Sequence, residues 1–142
     1  MADRLTCEKH DLWVRGLIAV IGIHSSLLGI IMLSAPQFML RTFGFSETVP
    51  IFFPSQSGVF LLILGVCYLL ALREPAYVKV ILISKAFAVV FLFVHATFLS
   101  APPIIWAMFA GDGAMLFALS AALIRRRYRA IRPGVRIQRK PS

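Results

Sequence analysis

The sequence predicts an all-α integral membrane protein: a four-helix bundle with a short interfacial helix between its first two spans. Three observations carry this expectation. Of 142 residues, 59% are hydrophobic and only 15% charged, with a mean hydropathy of +0.84, whereas an ordinary soluble domain is roughly 25% charged. So apolar a chain of this length over-fills a soluble core and is too apolar to be disordered. Four runs each supply the ~20 mainly apolar residues that a membrane helix needs. Prolines and short polar stretches separate the runs.

The first run is Trp13 to Leu33. The arm before it contains Asp3, Glu8 and Asp11 as well as bases, and the run exceeds the ~7–15 residues of a signal-peptide core. It is therefore expected to be an uncleaved span. Segment 34–51 follows, and with Phe38, Met39, Leu40, Phe43 and Phe45 it is too apolar for a solvated loop. Ser34-x-x-Gln37 fits a capping box, Pro36 suits an early helical position and Gly44 a C-terminal stop. A short helix lying in the outer interface is expected, with Arg41 at the headgroups. The second, third and fourth runs are Phe52 to Leu72, Val78 to Leu99 and Ile104 to Ile124, separated by Pro75 and by Pro102-Pro103. The four spans make a domain of residues 1–124, and residues 125–142 form a basic tail.

Charge sets the direction of threading. Formal net charge is +9, and eight of the 15 Lys and Arg residues lie after Ile124. The rest of the chain holds 7 bases against 6 acids, a net of +1. The arm has Arg4, Lys9 and Arg15, the 73–77 turn has Arg73 with Lys79 just beyond, and the two opposite connections hold Arg41 alone. By the positive-inside rule both termini are expected to face the cytoplasm. The tail follows directly on an apolar run. It reads as a stop-transfer and lipid-headgroup anchor through Arg125, Arg126, Arg127 and Arg129, not as a nucleic-acid-binding arm. The bilayer is thus the first expected partner.

Small residues suggest where helices meet. Gly22 and Gly29, and Gly58 and Gly65, recur every seven residues, and Ala110, Ala114, Ala118 and Ala122 every four. Such stripes let helix backbones approach closely in lipid.

Ionisable groups inside spans are costly and raise a functional hypothesis. Away from the span ends there are four: His24, Lys85, His95 and Asp112. At 1.5 Å per residue, Lys85 stands about 10 Å above the inner end of its helix and Asp112 about 12 Å below the outer end of the next. Their heights differ by about 5–8 Å, within lysine's reach, so a buried Lys85–Asp112 ion pair is expected. The alternatives are that Lys85 snorkels to the inner face and that Asp112 is a structural acceptor. His24, Gln56, Ser57, His95 and Asp112 all fall in the outer half, where they are expected to converge on a polar pocket beneath segment 34–51. His24, Gln56, His95 and Asp112 are the candidate cofactor-binding residues. The residues name no cofactor; a quinone head is one that such a pocket could take, with Phe53, Phe60, Phe91 and Phe98 either as its apolar walls or as ordinary lipid-facing and packing residues. His24 and His95 differ by about 10 Å in height, too much for two axial ligands of one haem. Two histidines and one carboxylate spread this far apart make no metal site. Cys7 and Cys67 are not arranged as a CxxC. No GxSxG, HExxH or phosphate loop is present, so no catalytic residue is assigned.

The segment Gly58 to Arg73, GVFLLILGVCYLLALR, is a glycine-spaced span ending in an inner-face arginine and running through a tight turn into the next span. It resembles the DoxX-like group of small four-span bacterial membrane proteins, whose length and span plan also agree. The resemblance implies a place in quinone-coupled sulfur oxidation, as in some members, or in an oxidative-stress membrane complex, as in others. The FPSQSG stretch at 53–58 and the Gly111-Asp112-Gly113 triplet are not matched by it, and no catalytic residue is carried over. The leading functional expectation is a non-catalytic accessory or anchor subunit of a larger bacterial membrane complex, with a membrane-protein partner or a second copy of itself. The alternatives are a quinone-site, redox-linked protein and a small transporter or proton pathway.

Overall fold

A computed structural model of the chain describes residues 2–45, 50–99 and 101–131, with side chains from 12 to 128. The expected roles of Arg129 and of the tail beyond residue 131 lie outside the described side chains, as does Cys7. The fold is all-α, with no strand among the described residues.

Helix α1 runs from Ala2 to Ser34, longer than the expected 13–33 span. No proline interrupts the chain before Pro36, so the helix includes the charged arm. Pro36 disfavours the helical conformation in the residue before it. Ala35 accordingly leaves it, at φ −140° and ψ 59°, and α2 follows over Pro36–Thr42 with proline in its first turn. The expected capping box does not form. Ala35 is the N-cap and gives no side-chain bond, while Ser34 Oγ donates to the Ile30 carbonyl at 2.8 Å. Ser34 is still the last residue of α1, so its hydroxyl bonds back one turn. Helix α2 ends in a Schellman motif: Gly44 N–H donates to the Arg41 carbonyl and Phe45 N–H to that of Leu40. Gly44 adopts φ +78°, which a side chain resists.

Helix α3 spans Phe52–Leu70, two residues short of the expected end. Pro75 holds Glu74 extended at φ −115° and starts a 3₁₀ turn, Pro75–Tyr77, which feeds α4, Val78–Phe98. Helix α5 runs Ile104–Ile131, seven residues past the expected 124. Arg125, Arg126, Arg127 and Arg129 are good helix formers and the next proline is Pro133.

Helices α1 and α3 make the most extensive contact, and α4 and α5 the next. The first pair is antiparallel: Gly22 lies against Leu69, Gly65 against Ser26, and Gly29 against Leu62 and Gly58. A Cβ on Gly29 would stand 2.6 Å from the Leu62 backbone nitrogen. The heptad-spaced glycines are therefore what bring the two backbones together. The alanine stripe of α5 behaves differently. Ala110 and Ala114 are exposed and Ala118 is half-buried, and only Ala122 packs against the core. That core takes Val14, Ile18 and Ile21 from α1, Tyr68 from α3, Ile81 from α4 and Leu119 from α5.

Each of α1, α3, α4 and α5 contains a segment long and apolar enough to cross a membrane, and no more than 28% of the most apolar window in any of them is buried within the molecule. Most of their apolar surface therefore faces outward.

Candidate functional site

The site begins with the buried face of two helices. On α4, Ile81, Lys85 and Leu92 share one face; on α5, Ile105, Asp112 and Leu119 do. In each triplet the flanking residues are apolar and buried, so the central ionisable side chain is carried inward with them. Lys85 Nζ stands 2.5 Å from Asp112 Oδ1. The side chains are 7% and 20% exposed respectively, so the carboxylate keeps more contact with its surroundings than the ammonium. Beside Asp112, neither Gly111 nor Gly113 has an atom within 4 Å of where a Cβ would lie. Pairing lets each charge offset part of the other's desolvation cost in a low-dielectric interior.

A second polar contact adjoins the pair. Tyr68 Oη lies 2.6 Å from Ser84 Oγ, one residue before Lys85. Ser84 Oγ donates to the Val80 carbonyl at 2.6 Å. Its one proton is thus committed, and Tyr68 is the donor to Ser84. Sequence reading passed over Tyr68, although a phenol in an apolar run signals a needed partner.

The other candidates do not join this cluster. His24 and Gln56 are exposed. His95 is half-buried, donates Nδ1–H to the Phe91 carbonyl at 2.9 Å and lies against the Phe91 ring with centroids 3.8 Å apart. Phe53, Phe60, Phe91 and Phe98 are all more than half exposed. Arg125, Arg126 and Arg127 are exposed along the last turns of α5. Among the described residues no group of three or more His, Cys, Asp or Glu side chains could hold a metal ion.

Beneath α2, where a polar pocket was expected, lies an apolar cavity of about 340 Å³. Its walls are Met32 of α1, Met39, Leu40 and Phe43, Phe45 beyond α2, and Phe53, Pro54 and Ser57 of α3. Of the expected polar set only Ser57 lines it, and the Ser57 hydroxyl donates to the Phe53 carbonyl at 3.0 Å. His24 and Gln56 are exposed on their own helices, and His95 and Asp112 belong to α4 and α5, neither of which lines the pocket.

No protein-family model, curated protein or solved structure matches this chain.

Proposed function

We propose that this chain is a four-span protein of a bacterial inner membrane and a non-catalytic subunit that docks other transmembrane helices. In this reading the long helices form one antiparallel bundle, α2 lies in the outer interface and both termini face the cytoplasm. The arginines at 125–127 anchor α5 among anionic headgroups.

The observation that carries the docking role is the outer face of α5. Ala107, Ala110, Gly111 and Ala114 are exposed side by side on it, away from the buried face holding Asp112. Small residues at this spacing permit the close helix approach that drives association in lipid, and the α1–α3 contact uses the same device. The test is extraction from native membranes in a mild detergent, followed by native electrophoresis. The protein is expected to migrate in a larger assembly. The double variant Ala110→Leu/Ala114→Leu should release it without lowering its own thermal stability. A wild-type protein isolated from those membranes as a stable monomer overturns the docking role.

The residual exposure of Asp112 within a span favours a second reading, a proton pathway through the Lys85–Asp112 pair. It predicts proton flux in liposomes that Asp112→Asn abolishes, and its absence in the wild-type protein removes this reading.

A further inference from the structure

The cavity beneath α2 is shaped for hydrocarbon. Its volume of about 340 Å³ falls in the roughly 300–1,000 Å³ range of small-molecule sites. The pocket is more open than enclosed, so a guest can enter it from outside. Here the only polar side chain is Ser57, whose proton is already given to the Phe53 carbonyl. The walls are otherwise methionine, leucine, proline and phenylalanine, and methionine adapts its shape to flexible apolar guests. With no further polar side chain to orient a polar ring or amide, the walls suit an apolar chain.

The lid is fixed in place. Met39 and Leu40 are buried, the Schellman motif ends α2 at Gly44, and a Cβ on Gly44 would lie 3.2 Å from the Pro102 side chain. The C-terminal end of α2 therefore abuts the α4–α5 connection.

We infer that the cavity holds a fatty acyl chain of a bilayer phospholipid, gripped between α2 and the α1–α3 pair. This rests on the membrane reading above. The full-length protein is reconstituted in phosphatidylcholine vesicles containing a small fraction of phosphatidylcholine with a mid-chain diazirine. Light then attaches the chain to its neighbours, and peptide mass spectrometry locates the adducts. Phe53, a cavity wall, is compared with Phe87 and Phe117, phenylalanines at least as exposed elsewhere. Labelling at Phe53 and Met39 should exceed that at Phe87 and Phe117 several-fold. Leu40→Trp, which fills the cavity, should bring Phe53 down to their level. The milder Ser57→Phe serves as a second filling variant if the first does not fold. Equal labelling of all three phenylalanines, or labelling that neither filled variant lowers, overturns the inference and leaves the membrane reading intact. Failure of the wild-type protein to enter vesicles overturns both.

Discussion

Lys85 and Asp112 face each other from the buried sides of two consecutive helices, Nζ to Oδ1 at 2.5 Å. Each is flanked along its own helix by buried apolar residues, which hold the faces carrying the pair inward. Breaking such a pair from one side leaves an uncompensated charge, at a cost of roughly 3–5 kcal/mol. Asp112→Leu or Lys85→Met alone should therefore lower stability by about that amount, measured by unfolding in detergent. The double variant Lys85→Met/Asp112→Leu should recover most of the loss, because an apolar pair of similar volume is often neutral or better. A single variant as stable as the wild type would contradict the pairing.

The α1–α3 contact makes an opposite demand on two kinds of glycine. Gly29→Ala places a methyl group within 2.6 Å of the Leu62 backbone nitrogen, and overpacking of this kind costs roughly 1–3 kcal/mol. Gly16 has nothing within 4 Å of its absent Cβ. Gly16→Ala should stabilise α1 by up to about 1 kcal/mol through helix propensity. Paired melting curves in one detergent check both signs.

Ser26 Oγ is buried at the same crossing with no hydrogen-bond partner. A buried unsatisfied hydroxyl costs about 1–3 kcal/mol, so Ser26→Ala should raise the melting temperature. A drop on this substitution would show that the hydroxyl has a partner.

Tyr68→Phe removes the bond to Ser84 while keeping the ring in the core. Hydrogen bonds between membrane helices average about 0.6 kcal/mol, and the expected loss is of that size. Ser84 keeps its bond to Val80 in the variant, so no donor is stranded. A loss of several kcal/mol would mean that Tyr68 also supports the neighbouring ion pair.

Gly44→Ala forces a side chain into a left-handed backbone at φ +78°, costing about 1–2 kcal/mol. The cost falls on the Schellman stop of α2. Amide exchange in residues 37–43 should speed up, while the α4–α5 amides stay protected. Unchanged exchange in α2 would show that the stop is not set by this residue.

The sequence by itself determined the four apolar helices, the short helix before α3, the stop at Gly44 and the heptad-spaced glycines suited to close packing, while the pairing of α1 with α3 came from the tertiary structure. Each rests on a one-dimensional signal: run length, a proline, a glycine after the helix, a heptad. It also placed Lys85 and Asp112 at compatible heights, because height follows from residue count alone. The tertiary structure decided which way each side chain turns about its helix. In a chain whose core and outward surfaces are both apolar, hydrophobicity does not distinguish the inner face from the outer one. His24 and Gln56 therefore had the right height for a shared pocket and the wrong side of their helices. Ala110 and Ala114 likewise gave the spacing of a packing stripe, and only the contacts of α5 revealed that they point outward.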